Sequence, residues 1–176
     1  MHVRRVVTGH DAQGRSVFVS DAPAPRARNF IDMPGYGITQ VWSNDTPSTL
    51  GDTDDRTLGN GSLIPLPGGA SLLMISLPPD TVMAAPLDQA RALSEMSAAM
   101  PGLMACFEAQ DPAMHRTPTV DYVVIMEGEL WLELDDGQRR LVRAGDVVIQ
   151  NGNRHAWRNT CDIVAKAAVF MQGLAR

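Results

Sequence analysis

The sequence predicts an all-β protein, an antiparallel sandwich or barrel, with one helix inserted among its strands. Residues 114–172 divide into short strand-like runs separated by turn signals such as "DDGQ" and "NGN". That spacing is typical of antiparallel β-structure. Residues 86–100 instead carry apolar side chains at helical spacing. No internal repeat or marked change of composition divides the 176 residues, so we expect a single domain, 1–176.

The first part of that domain, residues 3–77, is predicted to hold strands and loops. Residues 3–20 form a hairpin around "DAQG", and "ITQVWSN" and "ASLLMISL" are further strands. The segment "APAPRARNFIDMPGYG" has too much Pro and Gly for regular structure, which predicts a connector. Residues 45–62 are polar and predict a long exposed loop.

The predicted helix spans 86–100. Pro86 suits its first turn, and Pro101-Gly102 ends it. A helix inserted here either covers the mouth of a barrel or packs outside one sheet or at a dimer contact, and the sequence leaves both open. The following "LMACFEA" predicts a short helical turn. The predicted apolar stripe is more typical of a packing surface than of a ligand site, and it comprises Leu87, Ala90, Leu93, Met96 and Met100.

Side chains alternate sharply in "GELWLELD". Its three leucines form one face of a strand, whereas Glu129, Trp131 and Glu133 form the other, which predicts a core face and a wetter face or interface. The N-terminal strand "RSVFVSD" would have open edges that a second chain can cover. With Trp131 as a candidate contact, these features predict a homodimer.

Composition excludes several classes of partner. A net charge of -5 argues against nucleic acid and anionic membranes, because both select basic surfaces. No run is long and apolar enough to span a bilayer, the N-terminus lacks the apolar core of a signal peptide, and no helix-turn-helix segment is visible. Cys106 and Cys161 have neither metal-site spacing nor a disulfide framework, so a cytoplasmic location is expected.

The stretch "MHRTPTVDY" places polar side chains at alternate positions. His115, Thr117 and Asp121 would point to one face of an extended segment. An imidazole and a carboxylate on one face predict either a metal site or a polar pocket.

Two spaced motifs carry a resemblance to a known family. They are His115-x-Thr117-x3-Asp121-x6-Gly128 and Gly145-x4-Gln150-x-Gly152-x2-His155-x3-Asn159. Together they resemble the two motifs of the cupin superfamily, strongly over residues 114–172. The resemblance implies a double-stranded β-helix of the jelly-roll type with those residues as its core.

The resemblance also implies a metal site. His115, Asp121 and His155 stand where the family has metal ligands, whereas Thr117 replaces a second His and Gln150 replaces a Pro. Two imidazoles and a carboxylate can hold Fe, Mn or Zn with positions left open. Taken singly, each of these residues has an equally good structural explanation; the shared motifs favour ligation. The predicted pocket residues are Thr117, Gln150, Trp157 and Asn159; Trp157 lines either the cavity or the core.

The implied function is a metal-dependent enzyme acting on a small oxygenated organic acid or phenolic. Decarboxylation, cleavage with dioxygen and isomerisation all fit such a site, and the family analogy favours a dioxygenase- or decarboxylase-type reaction. The alternative is a cupin that binds a small molecule without metal or catalysis.

Overall fold

The computed structural model describes residues 1–44 and 54–175, so the first half of the predicted loop at 45–62 lies outside the described residues. Within these ranges the chain forms eleven strands and two α-helices. In chain order they are β1 (Arg4–His10), β2 (Ser16–Pro23), β3 (Arg26–Asn29), β4 (Gly37–Asn44), β5 (Ala70–Leu77), α1 (Asp80–Ala84), α2 (Gln89–Ala99), β6 (Thr119–Glu127), β7 (Glu129–Glu133), β8 (Arg139–Arg143), β9 (Val147–Asn151), β10 (Ala156–Arg158) and β11 (Ala165–Gly173).

The strands form three antiparallel sheets. A six-stranded sheet has the order β3-β4-β5-β11-β6-β9, a three-stranded sheet has the order β10-β7-β8, and β1 pairs with β2 alone. One apolar cluster joins the two larger sheets, since Val123 and Ala167 belong to it from one side and Leu130 from the other. Two antiparallel sheets around a shared core, with a helix between β5 and β6, confirm the jelly-roll fold predicted from the sequence.

Cross-strand register places polar and apolar side chains at different levels of the interior. One level of the six-stranded sheet is a continuous buried row across five strands: Ser43, Ser71, Met171, Asp121 and Gln150. The next level is mostly apolar, with Leu73, Val169 and Val123 directly opposite one another. Since side chains opposite each other share a face, the polar row forms one end of the interior.

The outer face of the same sheet carries exposed apolar side chains. Tyr122 lies opposite both Ile149 and Phe170, and all three are exposed. The Tyr122 and Phe170 rings lie 5.9 Å apart. Tyr122 therefore points away from its buried neighbour Asp121.

Helix α2 begins at Gln89, because the Asp88 carboxylate caps it by accepting from the Arg91 N–H at 3.0 Å. The stripe predicted from the sequence is wrong in part: Leu87 is 75% and Leu93 57% exposed. The face turned towards the core comprises Ala92, Met96, Ala99 and Met100.

An ion pair explains this rotation. The fully buried Asp32 carboxylate, on the β3–β4 connection, accepts two hydrogen bonds from the Arg91 guanidinium, both at 2.5 Å. A periodicity argument weighs only apolar side chains, so it misses a pair that brings a different helix face inwards.

Two further expectations need correction. The connector predicted to be irregular contains β3. Glu133, placed on a wetter face, is buried and accepts hydrogen bonds from Arg158 at 2.7 Å and Arg139 at 3.0 Å. The helical turn expected in "LMACFEA" is present as a 3₁₀ turn, Met104–Cys106. No helix among the described residues is long and apolar enough to cross a membrane.

Candidate functional site

Two histidines from the two sequence motifs face each other directly. The His115 N–H donates to the His155 carbonyl at 2.9 Å, and the His155 N–H donates to the His115 carbonyl at 3.0 Å. Residues that exchange both backbone bonds project their side chains from the same face. The two imidazole centroids lie 4.2 Å apart as a result.

Backbone carbonyls fix the protonation of both rings. His115 Nδ1 lies 3.0 Å from the Ala113 carbonyl oxygen, and His155 Nδ1 lies 3.0 Å from that of Asn153. A carbonyl oxygen can only accept, so each Nδ1 carries the proton and each neutral ring keeps a lone pair on Nε2. This is also the arrangement by which proteins orient histidines that bind metals.

The turn before His155 depends on glycine. Gly152 has φ +64°, a left-handed conformation that costs glycine little. A Cβ at this position would lie 3.3 Å from the Thr117 carbonyl oxygen. The turn therefore packs closely against the segment that carries the first motif, which keeps the two histidines together.

Burial keeps both imidazoles neutral. It lowers the pKa of His115, with a smaller opposing effect from the Ala113 carbonyl. The pKa of His155 is lowered to about 4 by burial and by the neighbouring His115, partly opposed by the Asn153 carbonyl. At neutral pH the pair thus presents two Nε2 lone pairs and no positive charge.

Aromatic rings flank the pair on both sides. The Phe107 ring centroid lies 4.5 Å from that of His115, and the Trp157 ring lies edge-on 6.4 Å from His155. Trp157 is half-buried and packs against the apolar core, and its place in the lining of a cavity stays a prediction. Phe107 was missed, because its place depends on an isolated β-bridge to His115 that no local pattern indicates.

Asp121 is buried beside a chain of hydroxyl groups. Thr119 Oγ1 donates to Thr117 Oγ1 at 2.8 Å, and Thr117 Oγ1 donates to Asp121 Oδ2 at 3.3 Å. Burial raises the pKa of Asp121, and the threonine hydroxyls oppose that effect. Its second oxygen, Oδ1, is buried without a hydrogen-bond partner.

Gln150 lies directly across from Asp121 on β9, and its Nε2 is likewise buried without a partner. Buried polar atoms are nearly always hydrogen-bonded, so an unpaired acceptor and an unpaired donor at one level of the interior are exceptional. They mark the polar row as a place where a bound molecule or water can complete the hydrogen bonding.

Asn159 has a different task from the one predicted. Its amide donates to the Leu77 carbonyl at 2.9 Å and the Ile163 carbonyl at 2.8 Å, and it accepts from the Cys161 N–H at 3.1 Å. These bonds tie the end of β5 to the turn before β11. The structure gives Asn159 a structural role, and its predicted place in the pocket is not supported.

The predicted metal ligands are only partly assembled. His115 and His155 come together, but no group of three or more His, Cys, Asp or Glu side chains in residues 1–44 and 54–175 is placed to hold a metal ion. The imidazole pair, with both Nε2 atoms unprotonated, fits a cation chemically. Asp121 does not join the two histidines as a third ligand in this arrangement, and metal binding stays a prediction.

Sequence relatives decide the family. The chain is 30% identical over 172 residues to phomopsin biosynthesis cluster protein C' of Diaporthe leptostromiformis, covering 95% of this chain and 76% of that protein. It is also similar to two cupin-domain-containing oxidoreductases, with 28% identity to srdB of Neurospora crassa and 29% identity to fogC of Aspergillus ruber. The chain belongs to the cupin superfamily. The alignment with srdB covers 90% of this cupin and 66% of srdB. The alignment with fogC covers 89% of this cupin and 64% of fogC.

Solved structures show a looser likeness. The cupin 2 conserved barrel domain protein of Salinispora arenicola is 14% identical, with a TM-score of 0.40, covering 82% of this cupin and 81% of that chain. An ethanolamine utilization protein of Salmonella typhimurium is 10% identical, with a TM-score of 0.44 and 99% coverage of both chains. No protein-family model matches the chain.

Proposed function

We propose that this cupin is an oxidoreductase that binds a small oxygenated organic acid or phenolic beside His115 and His155 and acts on it with a divalent metal. The observation that carries the proposal is the facing pair of neutral imidazoles, whose Nδ1 atoms are held by carbonyls and whose Nε2 lone pairs are free. The named oxidoreductases among its relatives support the reaction class. A cytoplasmic location and the absence of nucleic-acid and membrane partners stay predictions.

A metal at this site would have two protein ligands, His115 and His155, of a type that suits Fe, Mn or Zn. Bound there, it would supply a positive charge that polarises a substrate oxygen. Thr117, the residue in place of a further histidine, is engaged with Asp121 and Thr119 and leaves coordination positions to substrate and water.

The protein's own groups orient the substrate. Phe107 and Trp157 give an aromatic substrate two ring faces or edges to pack against, and they limit the access of water. A dioxygenase-type reaction, which inserts oxygen, and a decarboxylase-type reaction, which releases carbon dioxide, both suit this arrangement.

A binding protein without catalysis is the second candidate. It is favoured by one observation, that Asp121 does not complete a three-ligand set with the two histidines. In that case the unprotonated Nε2 atoms and the unpaired Asp121 Oδ1 would accept hydrogen bonds from the ligand itself.

Metal analysis separates the two. Purified protein, loaded with Fe(II), Mn(II) or Zn(II) and dialysed, is expected to retain metal, whereas His115→Ala and His155→Ala lose it. His10→Ala, an exposed histidine of the hairpin, is the matched control. Thr117→His should tighten binding, because imidazole is a much better ligand than hydroxyl. Equal metal content in all variants would exclude the metal-dependent enzyme.

Turnover is tested with the metal-loaded protein. A panel of small phenols and keto acids is incubated in air and under nitrogen, and products are identified by mass spectrometry. Oxygen incorporation only in air indicates a dioxygenase, and loss of carbon dioxide in both atmospheres indicates a decarboxylase. Ligand binding by the metal-free protein with no product from any compound would support the binding protein.

A further inference from the structure

A second cleft lies at the opposite edge of the six-stranded sheet, between β3, β4 and the end of α2. It has a volume of about 290 Å³, within reach of the range for small-ligand sites. Its lining combines two arginines and Gln40 with apolar side chains. The residues that line it include Arg26, Arg28, Ile38, Gln40, Leu63 and Ala98.

The guanidinium of Arg26 is fixed without any carboxylate. It donates to Gln40 Oε1 at 2.9 Å and to the carbonyl oxygens of Leu58 and Asn60 at 3.2 and 2.8 Å. All three acceptors are uncharged, so the positive charge of Arg26 is not compensated. Of its five N–H donors, two have no partner among these bonds.

Arg28 adds a second uncompensated charge. It is exposed, and no hydrogen bond or ion pair engages its side chain among the described residues. Arg26 lies opposite Gln40 and Arg28 opposite Ile38, so both arginines project from the same face of β3. Two residues along a strand separate their Cα atoms by roughly 6.6 Å.

Such a pair is unusual in an acidic chain. Several arginines of the described part have carboxylate partners, as Arg91 has in Asp32, Arg154 in Glu108 and Arg158 in Glu133. Arg140, by contrast, donates only to a backbone carbonyl. What sets Arg26 and Arg28 apart is that both line one cleft. With a net charge of -5, the protein has more carboxylates than basic groups, yet none in the described part forms an ion pair with Arg26 or Arg28. Within the described residues, the cleft therefore presents two positive charges without a carboxylate partner.

We propose that this cleft binds the carboxylate of a small organic acid with an apolar body. The planar donor forks of Arg26 and Arg28 match a carboxylate, which can accept bidentate hydrogen bonds. Ile38, Leu63 and Ala98 offer apolar surface to the rest of the molecule. The carbonyl end of α2 lies nearby and opposes an anion, but this effect is about 0.3–1 kcal/mol at an exposed site and is screened by salt, less than two charge-assisted bonds contribute.

The cleft is distinct from the histidine site. No residue that lines the cleft belongs to the histidine site, and Gln40 on β4 is separated from β6, the strand that follows His115, by β5 and β11. Three strand spacings amount to roughly 14 Å along the sheet. The inference therefore does not depend on the proposed function: an acid bound here is a ligand additional to the one at His115 and His155.

Binding of benzoate and hexanoate to the metal-free protein tests the proposal, with benzamide and hexanamide as uncharged analogues of the same shape. Isothermal titration calorimetry should detect binding of the two acids and no binding of the two amides. Arg28→Gln should weaken binding at least about tenfold, the loss expected of one charge-assisted hydrogen bond. Arg140→Gln removes an exposed arginine from β8 and should leave affinity unchanged.

Two more variants keep the result interpretable. Ala98→Trp fills the cleft without altering charge and should also abolish binding, whereas His155→Ala should bind the acids normally. Equal affinity for acids and amides, no effect of Arg28→Gln, or no binding of either acid by the wild type would overturn the proposal. Loss of binding in His155→Ala alone would place the acid at the histidine site instead, which also contradicts it.

Discussion

His115 and His155 are kept uncharged by the same contacts that bring them together. His155 is buried and His115 half-buried, the two rings touch, and each Nδ1 donates its proton to a backbone carbonyl. A proton added to either ring would have to enter a buried site beside a second imidazole. The energetic cost of that protonation makes the pair sensitive to pH.

We predict that metal-free protein loses stability as pH falls from about 6.5 towards about 4. The folded pKa of His155 is about 4, below the unfolded value of roughly 6.5, so the unfolded chain binds more protons in that window and is favoured there. His155 alone contributes about 2 kcal/mol between pH 7 and pH 5. Urea unfolding of EDTA-treated protein at the two pH values measures the loss.

The matched pair of variants is His155→Gln and His10→Gln. His155→Gln should reduce the pH dependence, and His10→Gln, at an exposed site in the hairpin, should not. Staying above pH 5 avoids the titration of carboxylates that arginines hold at low pKa, such as Glu133. The same slope in wild type and His155→Gln would show that His155 stays protonated on folding.

Asp121 changes the stability of the fold with pH in the direction opposite to His155. Its pKa is raised by burial, so its ionised form disfavours the folded state once the pH exceeds the unfolded value of roughly 3.9. In metal-free protein near pH 7, Asp121→Asn should raise the free energy of unfolding by about 1 kcal/mol, since an amide is cheaper to bury than an underbonded carboxylate. Asp162→Asn, at an exposed position, should be neutral. A destabilised Asp121→Asn would mean that the carboxylate has a partner in solution.

At the scale of elements, helix α2 depends on one ion pair as much as on its apolar face. Asp32 is buried completely, whereas the Arg91 side chain is 55% exposed. The ion pair turns Ala92 and Met96 towards the core and leaves Leu93 in solvent. The end of the helix borders the second cleft together with β3 and β4. It is the 3₁₀ turn after the helix, through Phe107, that reaches the histidine site.

Removing one partner of this pair should loosen the helix. We predict that Arg91→Gln lowers the Tm by several degrees, because Asp32 is then a buried carboxylate without a counter-charge. The double variant Asp32→Asn/Arg91→Gln should recover part of the loss, since neither buried charge remains. Differential scanning calorimetry of the wild type, both single variants and the double variant measures the coupling. Strictly additive losses would show that the two side chains do not interact.

At the scale of the whole molecule, the N-terminal hairpin stands apart from the two large sheets. β1 and β2 pair only with each other, so both outer edges are open among the described residues. Arg5 attaches the hairpin, with its guanidinium 5.5 Å from the Trp42 ring and a hydrogen bond to the Val41 carbonyl at 3.1 Å. Phe18 at its centre is 80% exposed. Open edges and an exposed aromatic ring are features that a second copy of the chain can cover.

We keep the homodimer as a prediction and place its contact on this hairpin. Light scattering at micromolar concentration should give twice the chain mass for the wild type and a single chain mass for Phe18→Asp. Leu93→Asp, an equivalent change on the exposed face of α2, is the control. If Leu93→Asp dissociates the dimer and Phe18→Asp does not, the contact lies on the helix. A monomeric wild type would contradict the prediction altogether.

Strand positions and the two motifs were accessible from the sequence because they are local. The apolar run "ASLLMISL" predicted β5 with its observed bounds, Ala70–Leu77. The spacing from His115 to Asp121 and the turn glycine Gly152 carried the family resemblance. Such signals need only neighbouring residues, since side-chain direction in a strand and the freedom of glycine are properties of the local backbone.

What only the tertiary structure decided concerns residues far apart in the chain. The pairing of His115 with His155, the engagement of Asn159 by β5, the Asp32–Arg91 pair and the two uncompensated arginines of β3 all depend on which segments fold next to each other. Polar contacts of this kind produce no periodic pattern in the sequence, because each depends on a single partner that can lie anywhere in the chain. The sequence by itself determined which residues could form a site, and long-range packing determined which of them meet.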